Sequence, residues 1–109
     1  MCSMKPIEFC GRSLEVVCQF SAAVKRESGY QLDRVQHGLD PQDWKPMTSI
    51  GTGVREIRIQ DHGQYRIIYV AKFSDAIYVL HAFQKKTQKT RKTDIDTAKR
   101  EYEALKRRL

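Results

Sequence analysis

Arg58, Arg66, Lys85 and Lys86 are the residues of this chain with the most chemistry to offer. The guanidinium fork of an arginine bonds two phosphate oxygens at once. A lysine set among other cations loses some proton affinity and can then serve as a general base or acid. Such groups suffice to cut RNA without a metal. The 2′-hydroxyl of the RNA attacks its own adjacent phosphate, while the protein aligns the attack and stabilises the charge that grows on the phosphate oxygens. Tyr65, Tyr69, Tyr78 and Tyr102 offer rings on which splayed bases could stack. Lys72, Lys89, Arg91 and Lys92 extend the positive region and would hold flanking RNA. Four cations bind any phosphate, so plain RNA binding needs nothing more.

The charge distribution agrees with a polyanion partner. The net charge is +7, and residues 85–109 hold ten Lys/Arg against four Asp/Glu, while residues 1–84 hold ten against nine. A positive end on a nearly neutral body suits a nucleic acid or an acidic protein, or simply a solvated basic helix. At 109 residues the chain reads as a single domain, residues 1–109, able to bury a core without staples. No apolar run has the length of a membrane span and the start of the chain lacks a signal-peptide pattern, so no membrane partner and a cytoplasmic location are expected. Cys2, Cys10 and Cys18 are odd in number and lack metal-ligand spacing. They read as thiols of a reduced chain, with Cys18 and Cys10 as small hydrophobes. No metal or other cofactor is implied. The Gly51-Thr52-Gly53 piece is not a phosphate loop, because no Gly-Lys-Ser/Thr follows it.

Strands must position these cations. Alternation predicts a strand over residues 5–10, then a turn at Gly11-Arg12-Ser13 with Ser13 as a helix cap. A helix is expected over residues 14–28, with Leu14, Val17, Phe20 and Val24 on one face and Gly29 as its left-handed stop. A second, shorter helix would carry Leu32, Val35 and Leu39. Residues 40–53 read as an irregular connection, given Pro41, Pro46, Gly51 and Gly53, with Trp44 and Met47 folding back on the core.

Residues 54–60 form the next strand. A three-residue Asp61-His62-Gly63 loop, with Gly63 left-handed, keeps the faces of the hairpin consistent. It sets Ile57 opposite Ile67 and Ile59 opposite Tyr65 on one face, and Arg58 opposite Arg66 on the other. Like charges so placed are unfavourable, so either a carboxylate such as Glu56 or an anion from outside must compensate. Residues 76–83 read as the central, most buried strand, with Ile77, Val79 and Phe83 on one face and Tyr78, Leu80 and Ala82 on the other. His81 within it reads as a hydrogen-bonded core residue, and His62 as exposed. Thr93 caps a last helix with the stripe Ile95, Ala98, Tyr102 and Leu105.

The stretches WKPMTSIGTGVREIRI (residues 44–59), YRIIYVAKF (65–73), IYVLHAFQKKTQKT (77–90) and SGYQLDRVQHG (28–38) resemble the RelE/HigB toxin superfamily of type II toxin–antitoxin systems. The nearest likeness is to its phage-related HigB-like branch. The resemblance implies an α+β, RelE-like small domain: an N-terminal strand, a two-helix hairpin, a three-stranded antiparallel meander and a C-terminal helix. It implies a metal-independent endoribonuclease that cuts mRNA on the ribosome and so inhibits translation. The implied partners are a cognate helix-turn-helix antitoxin and the message, with operator DNA reached only indirectly through the antitoxin. The family's meander arginine falls on Arg66, the cation of the preceding strand on Arg58, and the basic residues after the last strand on Lys85 and Lys86. Many relatives place a catalytic Tyr or His near the C-terminus. Here Tyr102 lies on the apolar stripe and reads as core. The competing expectation is a non-catalytic module, a degenerate toxin that binds RNA or its antitoxin.

Overall fold

Period-two alternation in the second half of the chain builds the sheet, and apolar stripes in the flanking segments build the helices that cover it. The computed structural model describes residues 5–86 and 92–109. The elements in order are β1 (Ile7–Phe9), α1 (Ser13–Cys18), α2 (Ala22–Gln36), β2 (Trp44–Pro46), β3 (Val54–Gln60), β4 (Gln64–Val70), β5 (Ile77–Lys85) and α3 (Lys92–Arg108). The architecture is α+β, with one five-stranded sheet in the order β1-β5-β4-β3-β2. β1 runs parallel to β5, and the other neighbours are antiparallel.

One face of the sheet packs against α1 and α2, burying Ile57, Ile59, Ile67, Tyr69, Ile77 and Val79 with Val17, Val24, Leu32 and Val35. The other packs against α3, burying Val54, Ile68, Val70, Tyr78 and Leu80 with Ala98, Tyr102 and Leu105. The meander β3-β4-β5 and the expected hairpin register are present: Ile57 pairs with Ile67, Arg58 with Arg66 and Ile59 with Tyr65.

Several local expectations are corrected. The first helix stops at Cys18, where Gln19 and Phe20 turn back on the carbonyls of Val16 and Val17. Ser21 then starts a new helix, its side chain accepting the Val24 N–H at 3.3 Å. That helix runs straight through Gly29, whose exposed position costs only about 1 kcal/mol against alanine. The left-handed residue that follows it is Gly38, at φ +82°. Residues 40–53 are not wholly irregular, because Trp44–Pro46 pairs with β3 as an edge strand; edges tolerate proline. The middle strand is β4, not β5, since β1 and β2 extend the meander on both sides. In the Asp61-His62-Gly63 loop the left-handed residue is His62, at φ 55°, rather than Gly63. α3 begins at Lys92, which places Thr93 inside the first turn instead of at the cap. Cys10 is buried as expected, whereas Cys18 is exposed at the end of α1; Cys2 lies outside the described residues.

The largest correction concerns β5. Its pairing with β4 slips between Ile68 and Tyr69, so Ile68 pairs with His81 and Tyr69 with Val79, leaving Leu80 as the extra residue of a bulge. The bulge reverses parity along the strand. Phe83 joins Tyr78 and Leu80 on the α3 face, and Ala82 joins Ile77 and Val79 on the other.

Candidate functional site

The register collects cations on the α3 face of the sheet, at the end where β4 begins. Arg58 and Arg66 are directly paired there. Because of the bulge, Lys85 faces the same way: it pairs with Gln64, two residues before Arg66. On an unbroken alternation Lys85 would point to the α1–α2 side, away from both arginines. Lys45 completes the group, since β2 sets it opposite Glu56, two residues before Arg58. Lys45 was missed from sequence because residues 40–53 read as loop; the three residues Trp44–Pro46 carry too short a pattern to signal a strand.

Glu56 lies at the centre and is fully buried. Its Oε1 is 3.6 Å from Arg66 Nε, 3.9 Å from Arg58 Nε and 3.9 Å from Lys45 Nζ. The carboxylate alternative for relieving the Arg58–Arg66 pair is therefore present. It does not cancel the charge: among the described residues Lys45, Arg58, Arg66 and Lys85 against Glu56 and Asp43 leave an excess of two positive charges.

The cations differ in access. Arg66 is only 5% exposed, and its Nη1 donates to the Tyr65 carbonyl at 3.0 Å and its Nη2 to Gln64 Oε1 at 3.1 Å. Burial, opposed by Glu56 and reinforced by Arg58, pulls its pKa below the ordinary arginine value. The side chains of Arg58 and Lys45 are 36% and 42% exposed. Lys85 is partly exposed, and burial together with the Arg66 charge holds its ammonium below the usual lysine range. Lys86 is exposed just past the strand. A fixed guanidinium thus underlies a rim of more accessible cations.

The remaining candidates are scattered. Lys72 follows β4 at the opposite end of the sheet, its Nζ 5.4 Å from the Phe73 ring centre and 5.6 Å from that of Tyr102. Lys92 is the exposed first residue of α3. Lys89 and Arg91 lie outside the described residues. The tyrosines do not gather round the cations. Tyr65 packs edge-on against Phe20 on the α1–α2 face, and Tyr69 is buried on that face too. Tyr78 and Tyr102 belong to the α3-side core. Tyr102 is core, as its stripe implies, and its hydroxyl donates to the Thr52 carbonyl. His81 sits 2.8 Å from Asp94, joining β5 to the first turn of α3. Among the described residues no group of His, Cys, Asp and Glu could hold a metal.

Residues 15–103 match the phage-derived protein Gp49-like family (DUF891). The chain belongs to this family. The match begins within α1 and ends within α3, so it takes in β2 to β5 and every cation of the central group. Gp49-like proteins are a RelE-related, toxin-like family of toxin–antitoxin systems. No curated protein matches the chain at a significant level. No helix of the described residues is long and apolar enough to cross a membrane.

Proposed function

We propose that this Gp49-like protein is the toxin of a type II toxin–antitoxin pair, of the HigB-like branch, and that it cuts mRNA on the ribosome. The observation that carries the reading is the convergence of Lys45, Arg58, Arg66 and Lys85 on one end of one sheet face, with more positive charge than Glu56 balances. That excess favours a phosphate. In the proposed reaction the 2′-oxygen bonds to phosphorus as the bond to the 5′-oxygen breaks, leaving a 2′,3′-cyclic phosphate and a 5′-hydroxyl. Arg58 clamps the phosphate oxygens from the rim, while Arg66 supplies a fixed charge beneath them. Lys85, its proton affinity lowered, takes the 2′-hydroxyl proton or gives one to the leaving 5′-oxygen, solvent water serves the other oxygen, and Lys86 adds charge. Lys92, Lys89 and Arg91 belong to the flanking RNA, whereas Lys72, at the opposite end of the sheet, is left out of this role. A helix-turn-helix antitoxin would neutralise the toxin and link it to operator DNA, and the work would be done in the cytoplasm.

The near-complete burial of Arg66 favours one competing reading, a toxin-derived module that binds RNA or antitoxin without cutting. Mapping of RNA ends on translated messages separates the two. The nuclease yields new ends within open reading frames and arrests growth on induction, and Arg58→Ala, on the rim, abolishes both. A binder gives a salt-sensitive complex with no new ends. Growth arrest by Arg58→Ala as strong as by the unmodified chain removes Arg58 from the mechanism.

A further inference from the structure

Glu56 is the least exposed charged side chain described, and its position follows from the register. On a sheet face, a residue's neighbours are the one directly across, the one two places along and the diagonal ones. For Glu56 the charged ones are Lys45 across on β2, Arg58 two places along on β3 and Arg66 diagonal on β4, beside the apolar Ile68 and Val54. All three lie within ion-pair range of the same carboxylate oxygen, at 3.6 to 3.9 Å, too far for a hydrogen bond. Three cations from three strands therefore surround one buried atom.

Without that carboxylate the arrangement is self-repelling. Arg58 and Arg66 are paired across the hairpin; Gln64 and the Tyr65 carbonyl hold the Arg66 fork, so the more exposed Arg58 would swing toward water and away from it. Burying a carboxylate is costly, and one that served stability alone could be replaced by a packed apolar side chain. What an apolar residue cannot do is draw three cationic groups inward to a common point. We infer that Glu56 is the positioning residue of the cation group: its buried carboxylate draws Arg58 and Lys45 in beside the Arg66 guanidinium, which Gln64 and the Tyr65 carbonyl also hold, so that they meet a phosphate already aimed. This inference rests on the proposed phosphate-binding reading and deepens it. Glu56 does not touch the RNA. It weakens the attraction for phosphate, because it is itself an anion, and in return it supplies geometry. A misplacement of about 1 Å in such a group can cost on the order of a hundredfold in rate.

That opposition between affinity and rate distinguishes positioning from mere support. Glu56→Gln keeps the shape and removes the charge. A short single-stranded RNA with 2′-O-methyl sugars cannot be cut and reports binding alone. Glu56→Gln is expected to bind it about as tightly as the unmodified protein or up to several-fold tighter at low salt. Its single-turnover cleavage of the unmodified RNA in translating ribosomes is expected to fall on the order of a hundredfold. The side-chain Nε–H signal of Arg58, expected to stand apart from those of exposed arginines in the original protein, is expected to merge with them in Glu56→Gln while the backbone amide spectrum stays native. Glu56→Asp keeps the charge but retracts it, and is expected to lose about tenfold in rate with binding unchanged. If Glu56→Gln fails to fold, Glu56→Asp carries the test. Parallel loss of binding and rate in a folded variant overturns the inference, as do unaltered kinetics or an unaltered Arg58 signal. Should the original protein bind RNA but cut none, the nuclease reading fails alone, and the Arg58 signal and binding of the two variants decide the role of Glu56.

Discussion

The α3 side of the sheet is one surface with two unlike ends. At one end Val54, Ile68, Val70, Tyr78 and Leu80 are sealed under Ala98, Tyr102 and Leu105. At the other, on the same strands and the same face, stand Lys45, Glu56, Arg58, Arg66 and Lys85. The covered end matches its polar groups one to one: Tyr78 with Asp75, Tyr102 with the Thr52 carbonyl, His81 with Asp94. Among the described residues the charged end has four cations for two carboxylates, Glu56 and Asp43. Packing satisfied within the chain at one end and charge left over at the other is how a small domain separates stability from binding.

The largest expected effects are a double dissociation between the ends. Leu105→Ala, in the core under α3, is expected to cost about 2–5 kcal/mol of stability by opening a cavity. Cleavage per folded molecule should stay the same. Arg58→Lys keeps the charge but loses the fork, and is expected to slow single-turnover cleavage on the order of a hundredfold with little change in melting temperature. Chemical denaturation and cleavage kinetics on both variants check the pair. If Leu105→Ala also slows the folded enzyme, the two ends are coupled and the division is false.

A smaller effect tests how tightly the covered end is built. A Cβ on Gly51 would stand 2.1 Å from the Tyr102 ring, so Gly51→Ala must displace either the ring or the loop. Overpacking of this kind costs about 1–3 kcal/mol. A thermal melt of Gly51→Ala beside Tyr102→Phe checks it. Tyr102→Phe keeps the ring and is expected to cleave at full rate, which a catalytic tyrosine would not allow.

Much of this division could be read from the sequence, and the failures have physical causes. Alternation in residues 54–60 and 65–70, with the three-residue loop, suffices to pair Arg58 with Arg66, because a one-residue slip would set Arg66 against Ile59 and mix the two faces. Two things escaped. A bulge at Leu80 leaves no mark in a strand that is apolar on both faces, so the reversal that aims Lys85 at Arg66 was invisible. The edge strand that brings Lys45 is held by pairing with β3 rather than by any pattern of its own. Tyrosines were over-read as stacking platforms because composition does not say which face a ring occupies; here those faces are core.

At the charged end, pH should act through Lys85. Burial and then Arg66 depress its ammonium below the ordinary 10.5. As pH rises through that lowered value the site loses a positive charge. Affinity for an uncleavable RNA is therefore expected to fall at a pH below the usual lysine range, and Lys85→Gln should bind more weakly at neutral pH and show no such step. Stability of the free protein moves the other way. The unfolded chain holds more protons in the window between the lowered value and 10.5, so this group makes stability rise with pH there. Binding titrations and denaturation across that window test the two signs together.

The smallest expected effect lies at the covered end and has the opposite sign. The Tyr78 hydroxyl donates to Asp75, and this bond to a carboxylate, with burial, pushes the tyrosine up to about 12. A raised value means that the stabilising contribution is whole below the ordinary 10.0 and is lost as pH climbs from there through about 12. Phenolate absorbance should show Tyr78 ionising after the other tyrosines that reach water, and Asp75→Asn should bring it back toward 10.0. Cleavage by Asp75→Asn at neutral pH should equal that of the original chain, because Tyr78 is protonated in both and sits among the residues sealed by α3. An altered rate would mean that the turn before β5 transmits strain along the strand, past the bulge, to Lys85; the Leu80 bulge would then be a hinge between the ends and not just a change of face.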